Sequence, residues 1–257
     1  MAIDLKQDGL VGLITMDAAP VNSYDVAMLR ELQEVIHEAR RNDAMRTLVI
    51  RSALPKFFSA GADIKTLQSS NSTQFANLLT IAHETVDLLE NTPKIVIAAI
   101  AGHALGGGLE LALGCDFRFA KDARYQLGLV EINLGLNPAM GGTQRLPRIL
   151  PRSLALHMIA TGETIDPVTA RDRGLIDRLF PEAEFEDEVM AYAARLAEGP
   201  TLAQGLAKLS INRGMEASLA EGLTIERGHQ NILFKSEDAA EGVNAFVEKR
   251  KPEFKGR

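Results

Sequence analysis

The chain has 257 residues, of which 46% are hydrophobic, and its 28 Lys and Arg against 34 Asp and Glu give a net charge of -6. This length and apolar content suit a packed domain with a helical appendage and exclude disordered and fibrous proteins. A single cysteine, Cys115, excludes a disulfide scaffold and a thiolate zinc site. The mild acidity argues against a dedicated nucleic-acid binder, which needs a basic surface.

Neither an export signal nor a membrane span is expected. Asp4 and Asp8 stand where a signal peptide would have basic residues and then an unbroken apolar run. The most apolar stretch, residues 95–113, is interrupted by His103, Glu110 and several glycines, so it falls short of the roughly 20 apolar residues of a membrane span. We therefore expect a cytoplasmic protein.

The first half of the chain alternates between strand and helix patterns. Short runs rich in β-branched residues predict strands over residues 10–16, 47–51 and 94–100. Apolar residues at helical spacing predict a helix between the first two strands and a second helix over residues 72–90, capped by Ser72. This alternation is typical of a layered α/β fold.

After about residue 182 the pattern is helical only. Polar-rich helices are predicted over residues 182–198, 201–213, 218–235 and 236–250, with breaks at Gly199-Pro200 and at Gly214. We therefore expect a core domain over residues 1–190 and a helical region over residues 191–257. The terminal basic residues read most simply as a solvated tail.

Residues 95–116 form a strand that runs into glycines and then into a helix, an arrangement that directs backbone N–H groups at an anion or an oxyanion. A dinucleotide-binding fingerprint is excluded, because Leu111 stands where its last glycine is required. A phosphate-binding loop would have Lys and then Ser or Thr in place of Leu109 and Glu110. A nucleophile elbow is also absent, since Ser59 lacks the flanking glycines.

Two glutamates stand in apolar segments. Glu110 lies within the helix that follows the glycines, and Glu131 lies among Leu129, Val130 and Ile132. Taken alone, Glu110 could be an acid favouring a helix N-terminus, and Glu131 could be an exposed strand residue. Together with the glycine turn they suit general acid and base catalysis beside a polarised carbonyl.

Residues 57–65, with the sequence FFSAGADIK, follow a predicted strand and contain small side chains that would let a ligand approach the backbone. This segment could equally be a tight strand-to-helix connection. With GHALGGGLELALGCD and VEINLGLNPAMGGTQRLPRIL, in this order and at these separations, it resembles the crotonase (enoyl-CoA hydratase/isomerase) superfamily. The resemblance extends over nearly the whole chain, including the closing FVEKRKPEFKGR.

The resemblance implies an α/β fold built as a spiral of ββα units, followed by a helical C-terminal region that forms a trimer or a dimer of trimers (a hexamer). It also implies an acyl-CoA thioester substrate whose oxygen is held by the backbone N–H groups of Ala62 and Gly107. Such a donor contributes about 3 kcal/mol to transition-state stabilisation.

Glutamate at both acidic positions resembles the hydratases, which add water to 2-enoyl-CoA in fatty-acid metabolism. In the implied mechanism Glu110 helps to activate a water and Glu131 exchanges the proton at the α-carbon. The alternatives are an isomerase, a hydratase-lyase acting on a branched or aromatic acyl-CoA, and a non-catalytic protein that binds acyl-CoA or a partner.

The resemblance further implies that Ala60, Asp63, Ile64 and Lys65 line the CoA site. The closing C-terminal positions that could reach the CoA nucleotide are Phe246 and Lys249, for which a packed ring and a solvated lysine are the alternative. No metal or redox cofactor is implied, and coenzyme A enters as part of the substrate.

Three features depart from the family pattern. The stretch before Glu131 lacks a proline that is common in hydratases, Ala139 and Met140 replace part of a glycine-rich loop, and residues 17–23 lack a basic residue. We expect an N–H from Ala139 at a catalytic carboxylate and an influence of Met140 on the acyl pocket.

Overall fold

The computed structural model describes residues 2–257. A six-stranded sheet forms its centre, with strand order β1-β2-β4-β7-β9-β11. The strands are β1 (Ile3–Asp8), β2 (Val11–Met16), β4 (Thr47–Ser52), β7 (Ile95–Ile100), β9 (Phe117–Asp122) and β11 (Arg178–Pro181). Only the β1–β2 pair is antiparallel, and each later neighbour is parallel. The strands predicted from β-branched runs are therefore β2, β4 and β7.

Short strands form two smaller sheets beside the main one. β5 (Phe57–Ser59), β8 (His103–Leu105) and β10 (Leu127–Gly128) make a parallel sheet of order β10-β8-β5, and β3 (Ser23–Tyr24) pairs with β6 (Gly61–Ala62). Each strand of the three-stranded sheet follows one long parallel strand along the chain. The chain therefore repeats a ββα unit, as expected for a crotonase-like spiral.

Seven helices in the described part of the chain pack on the face of the main sheet that holds the main core. They are α1 (Val26–Arg41), α2 (Ile64–Ser69), α3 (Ser72–Glu90), α4 (Gly107–Leu113), α5 (Gly142–Ile149), α6 (Arg152–Thr161) and α7 (Pro167–Asp172). The apolar stripe predicted for the first helix is buried in the main core through Leu29, Leu32 and Ile36. The N-cap of α3 is Asn71, one residue before the predicted cap, because Asn71 and Gln74 form a reciprocal capping box.

After β11 the chain is helical, through α8 (Phe185–Ala197), α9 (Thr201–Glu216), α10 (Leu219–Leu233) and α11 (Glu237–Glu248). The expected domain boundary at residue 190 falls inside α8, which packs its buried side, from Phe185 to Ala197, against the sheet. The predicted break at Gly214 is wrong. The helix α9 continues through it, and its close neighbour there is Gly222 on α10.

Cys115 is buried in the core and its Sγ lies 3.6 Å from the carbonyl oxygen of Leu111. Among residues 2–257, no helix combines the length and the apolar character that crossing a bilayer requires.

Candidate active site

The ββα units bring three distant segments to one edge of the small sheet. Gly61 and Ala62 come shortly after β5, Gly106 and Gly107 follow β8, and Glu131 follows β10. Because β5, β8 and β10 are parallel neighbours, their carboxyl ends lie side by side. Ligands of open parallel sheets bind at this end of the strands.

Three successive glycines make the turn into α4 possible. Gly106 has a φ of 54°, and a Cβ there would lie 2.9 Å from Glu131 Oε1. A Cβ on Gly107 would overlap the Tyr24 hydroxyl, and one on Gly108 would overlap the Ser59 carbonyl oxygen. The turn therefore excludes side chains where the backbone comes close to both the carboxylate and the tyrosine.

Gly107 is the first residue of α4, so its N–H has no acceptor within the helix. Gly61 lies directly against it, because a Cβ on Gly61 would be 2.9 Å from the Gly107 nitrogen. Ala62, the other expected donor, is the next residue of β6. The two predicted N–H donors therefore come from adjacent backbone segments.

Glu110 is buried, with 2% of its surface exposed. Its Oε1 accepts hydrogen bonds from the N–H groups of Met140 at 2.7 Å and Gly142 at 2.6 Å. Burial raises the pKa of Glu110, while these N–H groups, with a smaller contribution from Ala139, oppose the rise. The expected N–H donors to this carboxylate thus come from the loop that leads into α5, but mainly from Met140 and Gly142 and less from Ala139.

Glu131 begins a 3-10 turn, Glu131–Leu134, and is half-buried. It is therefore not the exposed strand residue of the alternative interpretation. Its Oε2 is buried and has no hydrogen-bond partner among the described residues. Burial, followed by the negative charge of Glu110, raises the pKa of Glu131 to about 7. The two glutamates are thus close enough to interact but have different surroundings.

The expected CoA-site residues lie on and around α2. Asp63 caps this helix, its Oδ1 accepting from the Thr66 N–H at 2.7 Å, and this bonding lowers the pKa of Asp63. Asp63 also lines a cleft of about 440 Å³. Ile64 and Lys65 are exposed, and Ala60 is partly buried. These positions leave their role in CoA binding a prediction.

Phe246 and Lys249 lie at the end of α11, on its exposed side. Phe246 has 85% of its surface exposed in the single chain, so its ring does not pack against this chain's own core. Within the described residues neither side chain reaches the carboxylates of Glu110 and Glu131 through a hydrogen bond or an ion pair. Their contact with a CoA nucleotide also stays a prediction.

Met140 is fully buried in the main core, at 1% exposure, while its N–H faces Glu110. Tyr24 was not among the sequence candidates. The residue is 8% exposed, and its hydroxyl lies against Gly107 and within the electrostatic influence of both glutamates. A lone tyrosine near residue 24 carries no local signal for this placement.

A spiral of ββα units with paired glutamates beside a glycine turn places the protein in the crotonase superfamily. The structure agrees with the crystal structure of the protein named "Enoyl-CoA hydrates" from Geobacillus kaustophilus HTA426, with a TM-score of 0.97 and 40% identity, covering 100% of this chain and 97% of that chain. A Bacillus anthracis enoyl-CoA hydratase structure gives a TM-score of 0.95 at 35% identity, covering 100% of both chains.

The family model described as "Enoyl-CoA hydratase/isomerase" matches residues 6–257. The chain belongs to this family. A Bacillus subtilis (strain 168) protein named "Probable enoyl-CoA hydratase" is 41% identical over 260 residues, covering 99% of both chains. Human mitochondrial methylglutaconyl-CoA hydratase is 38% identical over 259 residues, covering 99% of this chain and 76% of its own.

Proposed function

We propose that the protein is an enoyl-CoA hydratase, a hydro-lyase that adds water reversibly to 2-enoyl-CoA and gives 3-hydroxyacyl-CoA. The observation that carries this proposal is the pair Glu110 and Glu131. One is a carboxylate held by two N–H groups, and the other is a neighbouring carboxyl with a pKa near 7. Two carboxyl groups whose surroundings push their pKa values apart can act as the base and the acid of one reaction.

The thioester oxygen would accept hydrogen bonds from the N–H groups of Ala62 and Gly107, which polarise the conjugated double bond. A water between the carboxylates loses a proton to Glu110 as its oxygen bonds to the β-carbon. The protonated Glu131 gives its proton to the α-carbon, so that one C–O and one C–H bond form. Proton transfer through solvent then restores both acids.

The raised pKa of Glu131 and the hydrogen bonds to Glu110 support this division of roles. Glu131, with a pKa of about 7, is protonated in a large fraction of molecules at neutral pH and can donate. Burial raises the pKa of Glu110, so its role as acceptor rests on the N–H groups of Met140 and Gly142, which oppose that rise and favour the ionised form. Since the two carboxyls move both protons, we propose that no separate cofactor takes part.

We also propose that the substrate is an acyl-CoA thioester, with Ala60, Asp63, Ile64 and Lys65 near its CoA part. The C-terminal helices would assemble the protein as a trimer or a dimer of trimers. Enoyl-CoA hydratases and methylglutaconyl-CoA hydratase among the relatives support the substrate class.

The test is the ultraviolet absorbance of the enoyl thioester on adding crotonyl-CoA to the purified protein. We expect the absorbance to fall toward an equilibrium, with 3-hydroxybutyryl-CoA identified by mass spectrometry. A constant absorbance, together with conversion of a 3-enoyl-CoA to its conjugated isomer, would make the protein an isomerase. Binding of crotonyl-CoA without either conversion would leave a non-catalytic protein.

A further inference from the structure

Tyr24 is the one tyrosine at the candidate site, and three observations tie it to the predicted oxyanion donors. Its backbone pairs with Ala62 in the β3–β6 register. Its hydroxyl occupies the space that a side chain on Gly107 would fill. Among residues 2–257, no hydrogen bond uses this hydroxyl, although the residue is more than nine-tenths buried.

The backbone around Tyr24 is held on both sides. Its carbonyl oxygen accepts from the Asp63 N–H at 2.9 Å, and the preceding segment is bound through the Ala60 N–H to the Val21 oxygen at 3.0 Å. Asn22, which is fully buried, donates from Nδ2 to the Phe58 oxygen at 3.0 Å. The ring itself lies in the main core. The hydroxyl is thus fixed in place before any substrate binds.

The hydroxyl oxygen is not among the fully buried polar atoms without a partner, so it keeps some solvent exposure and a ligand beside Gly107 can take the place of water as its acceptor. Burial, and then the charges of Glu110 and Glu131, raise the pKa of Tyr24, so the phenol stays protonated. A neutral phenol offers one O–H donor. The ligand atom it meets should therefore be an acceptor that gains negative charge beside Gly107.

We propose that the Tyr24 hydroxyl is a third hydrogen-bond donor to the thioester oxygen, beside the N–H groups of Ala62 and Gly107. This role rests on the proposed acyl-CoA substrate. A donor that strengthens its bond as the oxygen gains charge acts on turnover more than on binding. Tyr24 would thus be a catalytic residue for the addition of water.

Tyr24→Phe removes the hydroxyl and keeps the ring. We expect kcat for crotonyl-CoA to fall by about 10-fold to 100-fold, with KM changed by less than about threefold, as for loss of an interaction made in the transition state. The matched control is Tyr125→Phe. It also removes a buried hydroxyl, one that donates to the Ile100 oxygen at 2.7 Å away from the glutamates, and it should leave kcat unchanged.

A binding measurement separates this inference from the proposed function. Cinnamoyl-CoA bound to Glu131→Gln should show a red-shifted absorbance, because hydrogen bonds to its thioester oxygen polarise the conjugated system. Adding Tyr24→Phe should reduce that shift. This absorbance measurement requires only that cinnamoyl-CoA binds. It therefore tests the hydrogen bond from Tyr24 even if the wild-type protein hydrates no substrate. If Tyr24→Phe does not fold, Tyr24→Leu should reduce the shift equally.

An unchanged red shift, or a wild-type kcat in the folded Tyr24→Phe variant, would overturn the role as oxyanion donor. A rise in KM with kcat and the red shift unchanged would also overturn it, since Tyr24 would then act in binding alone.

Discussion

At the scale of single residues, Glu131 carries a stability cost that depends on pH. Its pKa is raised to about 7 in the folded protein from an ordinary value of 4.5. Between these two pH values the unfolded chain loses the proton first, so folding becomes less favourable as pH rises. Glu131→Gln cannot ionise and escapes this loss.

We therefore expect the melting temperature of Glu131→Gln, relative to wild type, to be higher at pH 8 than at pH 5. Thermal unfolding followed by circular dichroism at both pH values measures the difference. Glu84→Gln, at an exposed position of α3, is the control and should show no such trend. A difference for Glu131→Gln that is constant with pH would mean that Glu131 titrates normally.

Gly107 provides a second residue-scale prediction. Gly107→Ala keeps the N–H but places a Cβ on the Tyr24 hydroxyl and ring, so the turn or the tyrosine must move. Loss of one aligned oxyanion donor lowers kcat by about 10²-fold to 10³-fold, and we expect a loss of this size with crotonyl-CoA. Gly228→Ala on α10 is a control of the same chemistry away from the site, where no atom lies within 4 Å of the new Cβ and the backbone is helical. Equal activity of Gly107→Ala and wild type would remove this turn from the mechanism.

A candidate site residue could be predicted where the neighbouring sequence marks it. Glu110 and Gly107 stand in one continuous glycine-led segment, and Glu131 stands in an apolar one. Tyr24 could not be predicted, because its placement depends on pairing with Ala62 across 38 positions of the chain. The unpartnered Glu131 Oε2 likewise follows from packing that no local pattern describes.

At the scale of helices and strands, Lys208 attaches α9 to the core. Its Nζ is buried and donates to the carbonyl oxygens of Leu89 at 2.8 Å and Lys94 at 3.2 Å. It also forms an ion pair of 2.8 Å with Asp116 Oδ2, which accepts the Val96 N–H as well. A buried ion pair broken on one side leaves the other charge without compensation.

Lys208→Met should lower the free energy of unfolding by about 3 kcal/mol or more, as for other buried pairs that lose one partner. Chemical denaturation measures the loss, and hydrogen exchange should locate it in α9. The exposed Lys235→Met has the same change of charge and should alter stability little. A wild-type stability for Lys208→Met would show that the pair contributes no net stabilisation.

Part of the fold was predictable, because hydrophobic periodicity marks β2, β4, β7 and the long helices. The short strands β3, β6 and β10 were not. Each has two residues, and its existence depends on a parallel partner elsewhere in the chain. The predicted helix break at Gly214 was wrong because the glycine lies inside α9, where it allows the close approach of Gly222 on α10. That contact is not visible in the local sequence.

At the scale of the whole molecule, the C-terminal helices expose many apolar side chains. Those with more than half of their surface exposed are Ile211, Met215, Leu219, Ile232, Phe234, Val243, Phe246 and Val247. A cluster of this kind is typical of a protein interface. The expected trimer would bury part of it.

Light scattering coupled to size-exclusion chromatography should give a mass three or six times the 27.9 kDa of the chain. Leu219→Glu combined with Phe234→Glu should lower that mass if these side chains lie in the interface, while Lys235→Glu should not. A wild-type mass of one or two chains would contradict a trimer-based assembly.

We propose that Glu110 and Glu131 share the addition of water. The most direct measurement is the initial rate of absorbance loss with crotonyl-CoA for wild type, Glu110→Gln, Glu131→Gln and the exposed-site control Glu84→Gln. We expect each active-site variant to lose between about 10²-fold and 10⁴-fold in kcat while still binding substrate, and the control to match wild type. Turnover at the wild-type rate in either Glu110→Gln or Glu131→Gln would show that this carboxyl takes no part in the addition of water.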